Sequence, residues 1–444
     1  MKRELMQLVA VLGLVAVLCA CNKKDVQSFG EQVKALEMVS VVEPFQPEEN
    51  PGGYSEMYRV QFRQPVDHNN PAAGTFTQHA MLYYLGTDRP TVLYTCGYEM
   101  GDKYTRLRYH SLAVNLKANM VVVEHRYYGA SAVENDPRWE YLTLDQAAAD
   151  DHAIFQALKP LLPGKWVSTG VSKDGQTSLF FRFFYPDDID VTTVFCAPML
   201  TSFADTSVEQ YMQQECGTPE QREAMSALLR RLLKGGEKGL YAKALQMVGE
   251  KFPDYNFDFT QYTVACMEYP FGIYSYAEED ILPPDTSDEA LLERIVVDWV
   301  QEVVEDEFGD LFYCSNIQQA KQLGSYTYTG GAYADLLEGT SFDASRVPGI
   351  IYPLKEEDKW LYETYDNTVC KDIVDHFLPE TTLPVLMVYS KNDPWTGGMP
   401  KNVNKPYVKV MVNPIGIHGQ DLNIPEHYAP ETVKEIVDFV QSWL

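Results

Sequence analysis

Trp166-Val167-Ser168-Thr169-Gly170-Val171-Ser172-Lys173-Asp174-Gly175 leads from a β-branched segment through a glycine-serine turn into Gln176–Phe184, where Leu179, Phe180, Phe183 and Phe184 recur at helical spacing. A strand, a tight turn and a helix in that order lift a serine out of the end of a sheet. They also leave it at the mouth of the helix, where backbone N–H groups face developing negative charge. Gly170 predicts close backbone packing beneath the turn. The spacing Gly-x-Ser-x-Gly is broken, because Asp174 takes the place of the last glycine and glycine arrives only at Gly175. A carboxylate two residues past a nucleophile opposes an oxyanion unless it points away or pairs with a cation such as Lys173.

Working outward, short β-branched or aromatic runs at 91–95, 120–123, 166–168 and 191–195 are separated by amphipathic segments, the signature of a parallel sheet. Upstream, 58–62 and 77–85 alternate more strictly around Pro71 and Gly74, which predicts an antiparallel edge. The pattern returns at 385–389 and 407–412, followed by a closing helix at 430–443. Between 200 and 375 it gives way to amphipathic helical stretches, such as 221–233 and 288–308, and tyrosine-rich loops. The expected fold class is α/β: an α/β-hydrolase fold with a mostly parallel sheet in 51–199 and 376–444, and an inserted, mainly helical cap in 200–375.

A serine hydroxyl needs a general base, and this fold supplies Ser, then an acid, then His in chain order from the ends of successive strands. Asp393 follows the run 385–389 and His418 follows 407–412, and both can be carried on loops at the sheet's end. His427 sits later, near a Pro-flanked helix start, so His418 is the expected base, Asp393 its orienting acid and Ser172 the nucleophile. The oxyanion donors expected are the backbone N–H groups of Lys173 and of Tyr98, the latter in the loop Cys96-Gly97-Tyr98-Glu99. Glu99 is a candidate for pairing with a substrate's N-terminal ammonium. The run Glu124-His125-Arg126-Tyr127-Tyr128-Gly129 reads as a buried, hydrogen-bonded brace under the active-site loops rather than a substrate site.

Gly170-Val171-Ser172-Lys173, Glu124 to Ser131, Asn392-Asp393-Pro394-Trp395 and Gly416-Ile417-His418 together resemble the secreted tripeptidyl aminopeptidase family of serine peptidases, and echo the prolyl carboxypeptidase and dipeptidyl peptidase II group. The resemblance spans most of residues 55–444. It implies a Ser172–Asp393–His418 triad under a helical cap and release of short peptides, tripeptides foremost, from free N-termini. Members of that family continue the elbow with two glycines, and Asp174-Gly175 departs from this. Two other readings follow from the same residues: an esterase or prolyl-type carboxypeptidase on the same fold, or a peptide-binding protein whose elbow has lost its chemistry.

The chain has 444 residues and a formal charge of −27, which argues against nucleic acid as a partner, since phosphate contacts need clustered Lys and Arg. Met1-Lys2-Arg3 followed by the apolar run Val9–Leu18 reads as an export signal too short to span a bilayer comfortably. Leu18-Cys19-Ala20-Cys21 resembles a bacterial lipobox with Cys21 as the lipidated residue, so a lipid-anchored protein of the periplasm or cell surface is expected, with 22–50 as its tether. The remaining cysteines, Cys96, Cys196, Cys216, Cys266, Cys314 and Cys370, can oxidise in such a compartment, in a pairing the sequence leaves open. None is spaced for zinc, and neither a metal nor a cofactor is expected.

Overall fold

The computed structural model describes residues 27–47, 50–101, 111–134, 136, 138–276, 281–305, 309–401, 403, 405–419 and 421–444. The leader and Cys21 lie outside the described residues. In chain order the strands are β1 (Val39–Pro44), β2 (Glu56–Pro65), β3 (Thr75–Tyr84), β4 (Thr91–Thr95), β5 (Asn119–Val123), β6 (Trp166–Val171), β7 (Val191–Phe195), β8 (Ala204–Asp205), β9 (Ser325–Tyr326), β10 (Val385–Ser390) and β11 (Val408–Asn413). All but β8 and β9 form one sheet in the order β1-β2-β3-β5-β4-β6-β7-β10-β11. Pairing is antiparallel from β1 to β5 through β3, and parallel from β5 to β11.

The parallel strands β4, β5, β6, β7 and β10 are covered on both faces, which is why they read as continuous apolar runs rather than alternating ones. One face packs Leu93, Val121 and Trp166 against Ile154, Phe155 and Leu158 of the helix Leu144–Leu158. The other packs Val92, Tyr94 and Val122 against Leu112 and against Ile436 and Val440 of the closing helix Pro430–Gln441.

The segment expected as a tether is in part structured. Phe29–Lys34 forms a helix opened by a reciprocal Ser28–Glu31 capping box, and β1 pairs with β2. Phe29 stacks on Tyr84 at 4.3 Å, and Val33 is fully buried beside Phe62. These contacts lie far away in sequence, so the polar composition of 22–50 conceals them.

β7 and β10 pair directly, from Thr192↔Val385 to Phe195↔Val388, so the chain between them leaves the sheet and returns to it. The excursion builds its own core, in which Leu228 and Leu232 of the helix Pro219–Leu233 meet Tyr262 and Val264 of the helix Phe259–Tyr276, and Val296. The expected helix at 288–308 is interrupted by a π turn at Glu293–Val297. The six cysteines expected to be open to oxidation are all free thiols; Cys96 and Cys370 lie in different core clusters, while Cys216 and Cys266 share one.

Candidate active site

Ser172 lies between the end of β6 and the helix Lys173–Phe184 with φ 57° and ψ −127°, a strained conformation for a residue with a side chain. Such strain at a strand-to-helix turn is what exposes a hydroxyl above a sheet. The turn closes only over glycine: a Cβ at Gly170 would lie 2.3 Å from the Asp174 carbonyl carbon. The Ser172 N–H donates to Phe195 O at 2.8 Å, which ties the elbow to β7.

Asp174 does not face the serine. Its carboxylate turns under the turn and accepts from the Gly97 N–H at 2.6 Å and from the Tyr94 hydroxyl at 2.5 Å. Of the alternatives the sequence left open, the carboxylate points away rather than pairing with Lys173, and in doing so it holds the loop after β4. Lys173 works on the same loop: its ammonium donates to Gly97 O and sits 4.9 Å from the ring centres of both Tyr98 and Tyr128. Burial pushes the Lys173 ammonium down to about 7. The two residues after the serine thus grip both sides of Gly97. In a trans peptide the N–H of Tyr98 points opposite to the Gly97 carbonyl that Lys173 holds, so its direction is set by the elbow itself. Among the described residues neither the Tyr98 nor the Lys173 N–H has an acceptor. Gly97 is required here as well, since a Cβ would lie 2.7 Å from the Lys173 backbone.

Asp393 and His418 come together as expected. His418 Nδ1 bonds Asp393 Oδ2 at 2.8 Å, and the carboxylate also accepts from the Trp395 N–H at 3.0 Å. Burial works against a charged imidazole, yet Asp393, by charge and by hydrogen bond, overrides it and holds His418 well above the ordinary histidine value. His418 stands beside the elbow: a Cβ on Gly419 would contact Val171 at 3.4 Å, and the His418 N–H donates to Ser275 O of the cap at 3.1 Å. The buried Cys196 thiol lies within 4.8 Å of ligand atoms of both Asp393 and His418. These three could in principle hold a soft metal ion, although the Asp393–His418 hydrogen bond already accounts for the closeness of that pair.

Glu124 to Ser131 is a brace. Arg126 is fully buried, with Nε and Nη2 on the Asp150 carboxylate at 2.7 and 2.8 Å and Nη1 on Val66 O and Tyr141 O. Glu124 accepts from the Ser131 hydroxyl and from the Met100 N–H, steadying the far end of the Gly97 loop.

Ser172, Lys173 and Tyr98 open into a cavity of about 580 Å³ roofed by the cap. Glu99, expected to meet a substrate ammonium, is not among its described lining; the turn at Gly97–Tyr98 sends its Cβ beside Gly129. Glu268 takes a place in the lining instead, as does Glu302. Reading the sequence missed Glu268, but a signal was present: it is the sole charged residue of the helix Phe259–Tyr276.

A serine on the elbow after β6, with an Asp–His pair carried on the loops after β10 and β11, is the arrangement of an α/β-hydrolase with a serine nucleophile. Residues 32–305 match the family described as PS-10 peptidase S37, and the chain belongs to that family. It is 29% identical to the prolyl tri/tetrapeptidyl aminopeptidase of Streptomyces mobaraensis, over 76% of this chain and 69% of the relative. It is also 32% identical to the lysosomal Pro-X carboxypeptidase of Homo sapiens, over 30% of this chain and 29% of the relative. Among solved structures, a peroxisomal α/β-hydrolase of Saccharomyces cerevisiae aligns over 87% of this chain and 88% of its own, with 11% identity and a TM-score of 0.39.

Proposed function

We propose that this serine peptidase removes short peptides, tripeptides foremost, from free polypeptide N-termini. The observation that carries the reading is the charge of the roofed cavity over Ser172. Its described lining holds two carboxylates, Glu268 and Glu302, and one cation, Lys173, whose ammonium is engaged by Gly97 O. A cavity of that sign suits a chain end bearing an ammonium, whereas a carboxypeptidase needs a cation turned towards its substrate. The prolyl tri/tetrapeptidyl aminopeptidase relative supports the same direction.

In the proposed reaction His418 takes the proton of Ser172 as the oxygen attacks the scissile carbonyl, and Asp393 stabilises the imidazolium. The N–H groups of Lys173 and Tyr98 receive the oxyanion. His418 then protonates the departing amine, leaving an acyl-enzyme on Ser172. Water, deprotonated by the same imidazole, releases the short peptide.

The test is turnover of chromogenic peptides of different length with free or acetylated N-termini. Ser172→Ala is expected to lower kcat by roughly 10⁴–10⁶-fold. Acetylation is expected to abolish cleavage of the free-ended substrates, and the length cut best fixes the product. Equal turnover of free and acetylated peptides would refute the N-terminal reading.

A further inference from the structure

Glu268 is an odd residue to find where it is. It sits on an otherwise uncharged cap helix and faces both the catalytic cavity and a neighbouring one of about 380 Å³. Its carboxylate accepts from the Tyr326 hydroxyl at 2.9 and 3.2 Å, and the Tyr328 hydroxyl faces the same group. Among the described residues no Lys, Arg or His forms an ion pair with it. Burial pushes the carboxyl up to about 7, since two tyrosine hydroxyls only partly offset the loss of water. A carboxylate placed this way costs stability relative to an apolar side chain of the same size, so packing does not account for it.

Its surroundings suit a cation. Phe271 and Tyr326 lie parallel with ring centres 5.2 Å apart, and Trp395 meets both edge-on at 5.5 and 5.1 Å. Tyr352 closes against Tyr326 at 5.9 Å. Aromatic walls around one carboxylate form a site for an ammonium group: the charge pairs with the acid and the rings exclude water from the pair. The same rings lead back to the reaction centre, because Trp395 lies 6.5 Å from the His418 ring. From His418 through Trp395 and Tyr326 to Glu268 the path takes ring steps of 6.5 and 5.1 Å and one hydrogen bond of 2.9 Å. A contour of that length corresponds to about four extended residues at roughly 3.3–3.6 Å each, and the straight line between its ends is shorter, so Glu268 lies within a short peptide's reach of the reaction centre.

We propose that Glu268, within the Phe271–Tyr326–Trp395 wall, receives the α-ammonium of the substrate and so measures the length of the peptide released. This rests on the N-terminal exopeptidase reading for its role in catalysis, but the binding site can be tested without turnover. Glu268→Gln keeps the size and an acceptor for Tyr326 while removing the charge.

In the Ser172→Ala background, calorimetry with a free tripeptide and its N-acetylated form is expected to give at least about tenfold tighter binding of the free form, a difference of about 1.4 kcal/mol or more. Adding Glu268→Gln is expected to erase that difference. In the active enzyme, Glu268→Gln is expected to raise KM for free-ended substrates at least about tenfold, with a smaller change in kcat. Equal binding of the free and acetylated tripeptides by Ser172→Ala overturns the proposal, and that result does not depend on how well Glu268→Gln folds. A preference for the free form that survives Glu268→Gln overturns it as well. If Glu268-dependent binding of the free amine is found while wild type cuts no free-ended peptide, the anchor stands and the exopeptidase reading fails.

Discussion

The departure at Asp174 becomes intelligible at the scale of single residues. Where a glycine would leave the Gly97 loop to its own conformation, Asp174 and Lys173 fasten it to the elbow by Gly97 N–H, Tyr94 hydroxyl and Gly97 carbonyl. On the proposed mechanism, Asp174→Ala is expected to lower kcat roughly 10–100-fold, less than the 10²–10³ of deleting an oxyanion donor outright, with KM nearly unchanged. A kcat at or above wild type would mean that the carboxylate burdens the site rather than positioning it. The Asp393–His418 pair sets the pH response. Because His418 holds its proton above the ordinary histidine value and the base must be neutral, kcat/KM is expected to climb with pH along a limb lying above about pH 6.5. By linkage, the stabilisation from the charged pair is complete below about pH 6.5 and is lost as pH rises through the folded value. Asp393→Asn is expected to move that limb down and to lower kcat by about 10⁴. A wild-type limb at or below 6.5 contradicts this account.

Among the elements, the N-terminal helix and β1 matter beyond their length. They cover the edge of β2, where Val60 and Phe62 are buried, and Phe29 anchors them by stacking on Tyr84. Phe29→Ala is expected to destabilise the protein by about 3–5 kcal/mol in urea unfolding, the usual range for a buried phenylalanine. A change below about 1 kcal/mol would show that residues 29–44 are laid on the sheet rather than part of its cooperative unit. Among the described residues the cap meets the catalytic loops through the backbone hydrogen bond from the His418 N–H to Ser275 O, and through Trp395 packed on Phe271 and Tyr326. One cap helix, Phe259–Tyr276, therefore carries Glu268 and steadies the histidine loop.

Over the whole molecule, what could be read from the chain alone was whatever repeats locally. The runs 91–95, 191–195 and 385–389 fall on strands whose two faces are both covered, and continuous apolar sequence is the direct imprint of that environment. Ser172, Asp393 and His418 were legible because an elbow and the ends of strands are local features, and the order of strands along the chain brings such ends to one side of a parallel sheet. The tertiary structure alone decided the rest. Asp174 turned to Gly97 and Tyr94, partners that precede it by 77 and 80 positions. Glu268, and not Glu99, stands in the described lining of the cavity, and residues 29–44 joined the sheet instead of trailing from it. A periodic pattern records which face of an element is buried, but where a lone polar side chain points is settled by groups distant in sequence, and those meet it only once the chain has closed.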